Sequence, residues 1–272
     1  MQLVKSNLHT HTCYCDGKDT PEDVVKSAIS MGMNTLGFSG HSYVPFDLPC
    51  CMNLEETAQY REEILRLKKQ YGDQLNILLG IEQDYYTTES VKEYEYVIGS
   101  VHYLLCGDTY YPLDQDKELF KEMIRLHFGG DIFRFLKVYF EMVAQLPQKT
   151  GCEIIGHFDL VTKFNEPEDL FDTKDPRYLR YAIDALDALL DRDMVIEINT
   201  GAISRGYRRT PYPAPLFLRR ISERRGRVTF NSDSHQKETL LFFFKEAQMY
   251  AKACGLGGLD MMTEKGWQHF SI

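Results

Sequence analysis

Short apolar runs, each ending in a histidine or an acidic residue, recur along this 272-residue sequence. A continuous apolar run suits a strand that is buried on both faces, as in a parallel sheet. These runs alternate with helical stretches, and strand–helix alternation implies parallel strands joined by right-handed crossovers. About seven such strands, with no break in composition, predict a closed α/β barrel rather than two domains.

The boundaries of the elements follow from periodicity and capping residues. Thr20 and Asn53 are expected to be helix N-caps, and Pro21 and Pro176 are expected to begin helices. The predicted strands are the run before His9, which includes Leu3 and Val4, and residues 35–39, 77–82, 96–102, 153–157, 195–199 and 228–230. The predicted helices cover about residues 21–31, 54–71, 131–146, 176–192, 216–225 and 237–253. We expect residues 106–129 to be irregular and residues 200–215 to form a long basic loop, and Trp267 receives no role.

The carboxyl ends of the strands are the expected location of the functional site, because parallel strands in a barrel all end at one edge. His9 and His11 are two residues apart on a strand, so their imidazoles point to the same side. Histidine and carboxylate side chains are common ligands of divalent metals. Such residues follow six of the seven predicted strands, namely His9, His11, His41, Glu82, His102, His157, Asp233 and His235. Core packing alone explains this set poorly, since buried histidines and acids need partners.

Composition limits the possible functions. The formal net charge of −9 argues against a nucleic-acid partner and against binding to an anionic membrane surface. An acidic protein that binds a phosphorylated small molecule needs local positive charge, which metal ions supply economically. The seven cysteines show no disulfide-like pattern, and the start of the chain has no secretory signal, so we expect a reducing, cytoplasmic setting. The longest apolar run, residues 240–244, is too short to span a bilayer.

The chain resembles the PHP (polymerase and histidinol phosphatase) superfamily. The motifs that carry this resemblance are His9-Thr10-His11 with Asp16-Gly17, Gly40-His41, Gly80-Ile81-Glu82, Gly99-Ser100-Val101-His102, Gly156-His157-Phe158-Asp159, Glu197-Ile198-Asn199 and Ser232-Asp233-Ser234-His235. They cover nearly the whole chain in the family's order. Residues 96–103, 157–160 and 199–213 look most like the monofunctional histidinol-phosphate phosphatases of that superfamily.

The resemblance implies a distorted (β/α)7 TIM-like barrel, with residues 1–272 as a single PHP domain, and a cluster of three divalent ions of zinc, iron or manganese. The implied first ion takes His9, His11, Glu82 and Asp233, the second shares Glu82 and adds His102 and His157, and the third takes His41 and His235. Asp16 falls near a position where other members have a histidine ligand for the third ion, although the spacing differs by about one residue.

The implied activity is hydrolysis of L-histidinol phosphate to L-histidinol and phosphate, a reaction of histidine biosynthesis. Divalent ions bridged by Glu82 would activate water and neutralise the phosphate oxygens. Asp233 or His235 is the expected proton donor to the leaving alcohol. Arg205, nearest to the end of the sixth strand, and Lys163 are expected to bind phosphate, whereas Arg208 and Arg209 are expected to be solvated.

Alternatives remain open at this point. Cys13 and Cys15 flank the first histidines and could be thiolate ligands, and residues 106–116 could close over the site and bind a cationic imidazole or amine. The activity could instead be that of a PHP phosphoesterase acting on another small phosphate ester or a nucleotide. A catalytically idle barrel that serves as a binding module is the third possibility, and the intact ligand set argues against it.

Overall fold

The strands and helices alternate along most of the chain in the computed structural model, which describes residues 4–272 and therefore does not include Leu3. The strands are β1 (Ser6–Asn7), β2 (Thr35–Phe38), β3 (Asn76–Asp84), β4 (Tyr96–Ser100), β5 (Tyr103–Cys106), β6 (Thr109–Pro112), β7 (Ile154–Ile155), β8 (Val195–Asn199), β9 (Arg227–Asn231), β10 (Gly258–Thr263) and β11 (Gly266–Ser271). The helices are α1 (Pro21–Ser30), α2 (Leu54–Tyr71), α3 (Lys117–His127), α4 (Ile132–Thr150), α5 (Asn165–Glu168), α6 (Pro176–Leu190), α7 (Gly201–Ser204), α8 (Pro215–Glu223) and α9 (Phe244–Ala253).

Seven parallel strands form one sheet in the order β1-β2-β3-β4-β7-β8-β9. The two outer strands of this order meet through a parallel bridge between Thr10 and Ser234. Its backbone hydrogen bonds run from His11 N to Ser234 O at 2.8 Å and from Ser234 N to His9 O at 3.1 Å. The sheet therefore curls into a nearly closed barrel, and the predicted α/β TIM-like fold is confirmed.

The predicted helix starts at residues 21, 54 and 176 are also confirmed. The Thr20 side chain accepts a hydrogen bond from Asp23 N, and Pro21 follows as the first helical residue. Asn53 and Glu56 form a reciprocal capping box at the start of α2. These caps fix the ends of helices that cover the outside of the sheet.

The barrel interior is filled by an apolar cluster around Tyr96, which is fully buried. The Tyr96 hydroxyl donates to Leu8 O at 2.5 Å and to Phe38 O at 2.9 Å, so it links β4 to β2 and to the end of β1. A Cβ atom on Gly37 or Gly80 would overlap the tyrosine side chain. These two glycines therefore provide the space that the large ring occupies.

The prediction of an irregular segment over residues 106–129 is wrong. Strands β5 and β6 form an antiparallel hairpin, and α3 follows it. Asp116 begins that helix, because its side chain accepts hydrogen bonds from the backbone of Glu118 and Leu119. The tyrosines and acids of the segment are thus part of regular structure above the barrel.

The predicted last helix over residues 237–253 is interrupted. Residues Lys237–Thr239 form a short 3-10 turn, and α9 begins only after Phe243, which has a left-handed φ of 62°. Trp267 lies in the β10–β11 hairpin, where it packs against the interior cluster, and the Arg227 guanidinium lies 5.3 Å from its ring centroid. The hairpin contacts the start of β9, away from the carboxyl ends of the strands.

None of the helices over residues 4–272 combines the length and the apolar character that crossing a membrane requires.

Candidate metal centre

The nine residues predicted as metal ligands lie together at the carboxyl ends of the barrel strands. Glu82 belongs to β3 itself, and the others directly follow a strand or lie in the turn after β1. Gly17 permits that turn, because a Cβ atom there would collide with the backbone of Thr12. Asp233 has a left-handed φ of 48°, a conformation that is uncommon for non-glycine residues and most accessible to asparagine and aspartate.

The Glu82 carboxylate is the centre of the cluster and is almost fully buried. Its two oxygens face different histidines. Oε2 lies 3.1 Å from His9 Nε2, 3.5 Å from His11 Nε2 and 3.0 Å from His41 Nδ1, whereas Oε1 lies 3.3 Å from His102 Nε2 and 3.2 Å from His157 Nε2. One carboxylate can therefore contribute an oxygen to each of two neighbouring metal sites.

Asp233, Asp16 and His235 complete the solvent side of the cluster. Asp233 Oδ1 lies 3.4 Å from His11 Nε2 and 3.8 Å from His9 Nε2, so it faces the same side of Glu82 as these two histidines. Asp16 Oδ2 lies 3.1 Å from His235 Nε2, and its Oδ1 lies 3.7 Å from His41 Nε2.

The donor set fits divalent metals. Three groups of side chains have the spacing of a metal site, namely His11, Asp16, His41 and His235; His9, His11 and Asp233; and His41, Glu82 and His102. His9 Nε2 and His11 Nε2 lie within 3.5 Å of Glu82 Oε2, but the angles do not suit hydrogen bonds, so these three buried atoms have no hydrogen-bond partner among residues 4–272. Such buried atoms require a partner, and imidazole and carboxylate donors suit a divalent cation.

The side chains of the cluster shift one another's pKa. Burial raises the pKa of Glu82, but His9, His102 and His41 outweigh burial and hold it well below its usual range. Burial and the neighbouring His235 and His41 lower the pKa of His11 to about 3. Glu82 is therefore an anion and His11 a neutral imidazole near pH 7. Burial lowers the pKa of His9, His41 and His102, but neighbouring carboxylates outweigh burial and raise it, so these imidazoles would release a proton when a metal ion binds.

Partners of the ligand side chains were not identified from the sequence. Glu197 Oε1 lies 2.6 Å from His9 Nδ1, and Ser100 donates to Glu82 Oε1 at 2.6 Å. Asp84 Oδ2 lies 3.4 Å from His102 Nδ1. The sequence held one indication of these partners. Glu197 and Asp84 are acids within apolar strands, and a buried charge needs a partner.

A cavity of about 310 Å³ opens over the cluster, and both residues predicted to bind phosphate line it. Arg205 donates from Nη2 to Asp233 Oδ2 at 2.9 Å and from Nη1 to Asp233 O at 2.9 Å. Gly201 permits this approach, because a Cβ atom there would lie 2.8 Å from Asp233 Oδ2. Lys163 is buried and forms an ion pair with Asp114 at 3.0 Å.

Asp114 and Gln115, from the segment predicted to close over the site, also line the cavity. Burial raises the pKa of Asp114, but Lys163, His102 and His157 together outweigh burial and lower it to about 2. The carboxyl group of Asp114 is therefore ionised near neutral pH and accepts a hydrogen bond from Lys163 Nζ. The cavity combines the cations Arg205 and Lys163 with an acidic side chain from the segment above the barrel.

The prediction that Arg208 is solvated is wrong, whereas Arg209 is exposed as predicted. Arg208 is 7% exposed, donates to the Thr162 hydroxyl and lies over the Tyr212 ring at 4.3 Å. Its guanidinium lies away from the cavity lining and holds the loop against the barrel.

Cys13 and Cys15, the alternative ligands, are less suited than the histidines. Cys13 is exposed to solvent. The Cys15 sulfur lies 3.6 Å from His11 Nδ1, and burial together with the Asp16 charge raises the pKa of its thiol to about 12. The protonated thiol is a poor metal ligand at neutral pH.

The fold and the cluster define an α/β barrel whose carboxyl-end residues are arranged to bind divalent metal ions. The PHP domain family matches residues 7–201. The chain is 30% identical to a Schizosaccharomyces pombe protein named "Probable histidinol-phosphatase", over 97% of this chain and 90% of that protein. It is 26% identical to the Bacillus subtilis protein named "Histidinol-phosphatase", over 87% of this chain and 94% of that protein.

The chain belongs to the PHP family, and these matches confirm the predicted family and branch. Among solved structures, it resembles histidinol phosphate phosphatase from Lactococcus lactis, which was crystallised with zinc, L-histidinol and phosphate. The TM-score is 0.73 at 20% identity, over 98% of this chain and 100% of that one, so the likeness supports the fold.

Proposed function

We propose that this protein is a metal-dependent histidinol-phosphatase, a phosphoric monoester hydrolase that converts L-histidinol phosphate to L-histidinol and phosphate. The observation that carries the proposal is the buried histidine–carboxylate cluster, which shares one cavity with Arg205 and Lys163. Five carboxylates also line this cavity, so bound divalent ions would supply the remaining positive charge that a phosphate dianion needs. The names of the relatives supply the substrate.

We propose three divalent ions at the cluster. His9, His11, Glu82 and Asp233 would hold the first, Glu82 with His102 and His157 the second, and His41 with His235 and Asp16 the third. The separate orientation of the two Glu82 oxygens supports the shared ligand. Zinc, iron and manganese all accept this mixture of imidazole and carboxylate donors.

Bound divalent ions supply an activated water and charge neutralisation of the phosphate. Among the chain's own groups, Arg205 and Lys163 would orient the phosphate by charge-assisted hydrogen bonds. Burial raises the pKa of Asp233, but Arg205 and His9 outweigh burial and hold it well below its usual range. Asp233 is thus a carboxylate near neutral pH, which suits a metal ligand and makes it a poor proton donor to the departing alcohol oxygen.

The remaining proposals concern the whole chain. We propose that residues 1–272 form one PHP domain, since β9 and its ligands lie beyond the matched residues 7–201 and complete the barrel. A reducing, cytoplasmic setting is consistent with the free state of all seven cysteines over residues 4–272.

A steady-state screen of phosphate esters with metal-replete protein tests the function. We expect histidinol phosphate to give the highest kcat/KM. A far higher kcat/KM for a nucleotide or a cyclic phosphodiester would contradict the proposed substrate and indicate another PHP phosphoesterase activity. Absence of turnover on every ester, in folded and metal-loaded protein, would leave only a binding function.

A further inference from the structure

Glu197 lies in β8 directly beneath the cluster, and its side chain is fully buried and does not line the cavity. Each of its two carboxylate oxygens has two hydrogen-bond contacts. Oε1 lies 2.6 Å from His9 Nδ1 and accepts from Asn231 Nδ2 at 2.9 Å. Oε2 accepts from His157 N at 2.8 Å and from Asn199 Nδ2 at 2.9 Å. The carboxylate therefore connects the ends of four barrel strands.

The contact with His9 selects one form of the imidazole. An ionised carboxylate only accepts hydrogen bonds, so Nδ1 of His9 must carry a proton. In the neutral ring, Nε2 is then the atom with a free lone pair, and it points toward Glu82 and Asp233. A histidine that donates its second ring N–H to a carboxylate is a metal ligand with a fixed tautomer and ring orientation.

Through its contact with His157, Glu197 also positions a ligand on the other side of Glu82. His157 faces Glu82 Oε1, whereas His9 faces Glu82 Oε2, so they belong to different proposed metal sites. Because Glu197 holds the imidazole of His9 and the backbone N–H of His157, it fixes the two sites relative to each other.

We propose that Glu197 is a positioning residue, which sets the metal affinity of the cluster by holding His9 in the Nδ1–H tautomer and by anchoring the backbone at His157. This inference rests on the proposed metal centre. Glu197 does not contact the substrate cavity, so its effect on turnover is transmitted through these two ligands.

The substitution Glu197→Gln separates this role from simple packing, because glutamine preserves the shape but replaces one accepting oxygen with a donating amide. All four groups that face Glu197 donate hydrogen bonds to it, so the NH2 group of the glutamine would face a donor instead of providing an acceptor. We expect Zn²⁺ affinity to fall by about 10–100-fold, the usual effect of removing the outer partner of a metal-ligating histidine.

The experiment is a Zn²⁺ titration of the metal-stripped full chain against a competing chromophoric chelator, together with thermal unfolding. Glu153→Gln is the matched control, because Glu153 is a partly buried carboxylate just before β7, outside the cavity lining. It should bind Zn²⁺ like the wild type. Equal Zn²⁺ affinity in Glu197→Gln and the wild type would overturn the positioning role, even if the melting temperature fell.

A measurement on the wild type keeps the inference testable if Glu197→Gln does not fold. Long-range ¹H–¹⁵N correlation spectra of the zinc-loaded protein report which ring nitrogen of His9 carries hydrogen. We expect a protonated Nδ1, and an unprotonated Nδ1 would refute the inference. A wild type that takes up no Zn²⁺ would instead refute the proposed metal centre, and the inference with it.

Discussion

Glu82→Gln is the substitution for which the structure predicts the largest loss of metal and of activity. The native carboxylate is 1% exposed, and its two oxygens lie within 3.5 Å of nitrogens from five histidines. Glutamine has nearly the same shape, but it removes the negative charge and turns one accepting atom into a donor. The change therefore alters electrostatics and ligation at nearly constant packing.

The expected magnitude follows from the charge. Two unit charges about 4 Å apart attract each other by about 4 kcal/mol at an effective dielectric constant of 20, and a divalent ion doubles this value to about 8 kcal/mol. Loss of even a third of that attraction, about 2.8 kcal/mol, corresponds to about 100-fold weaker binding. Because the oxygens of Glu82 face both sides of the cluster, two ions should be affected. We therefore expect kcat/KM to fall by at least about 100-fold.

Elemental analysis and steady-state kinetics on the same preparation are the assay, and Asp16→Asn is the matched control. Asp16 faces His41 and His235 at the solvent side and lies outside the ring of side chains around Glu82, so its amide variant should retain the two ions that share Glu82. Wild-type turnover with three ions per chain in Glu82→Gln would refute the bridged cluster and the mechanism derived from it.

Two further substitutions test the phosphate pocket and the barrel interior. Arg205→Ala should lower kcat/KM by about 10²–10³-fold at unchanged metal content, because it removes a charged donor that lines the cavity. Arg209→Ala, an exposed change on the same loop, should have wild-type kinetics, and equal kinetics in both variants would assign phosphate binding to Lys163 or to the ions. Gly80→Ala should lower the free energy of unfolding in urea by about 1–3 kcal/mol, because a methyl group there overlaps the ring of Tyr96. Gly257→Ala meets no atom within 4 Å, so a similar loss of stability in both variants would contradict this account of the interior.

The positions of the metal ligands were predictable because they lie at the ends of strands, and a barrel of parallel strands brings these ends together. Each ligand except Asp16 follows or ends an apolar run that is recognisable by itself, such as residues 77–81 before Glu82. Parallel strands then bring all these ends to one edge, whatever their separation along the chain. Eight of the nine residues meet in the structure for this reason, whereas Asp16 was expected only from the resemblance to the family.

The hairpin and α3 could not be predicted in the same way. Strands β5 and β6 are four residues each, and only the first two residues of β5 are buried. Short, half-exposed strands have little hydrophobic periodicity, so their hairpin pairing decides the structure. The Asp116 cap of α3 was a local signal in the sequence, and the polar composition around it obscured the helix.

Arg208 and Glu197 show how far the local sequence predicts which charged residues are buried. Arg208 and Arg209 are adjacent and chemically equal, so nothing local indicates that Arg208 alone is buried. Glu197 differs, because alternate residues of a strand face opposite sides, and Val195 of the same strand belongs to the interior cluster. An acid on the interior face must have buried donors, so the sequence implied that Glu197 has a partner. The partner, His9, is 188 residues away along the chain, and only closure of the barrel brings its imidazole to that carboxylate.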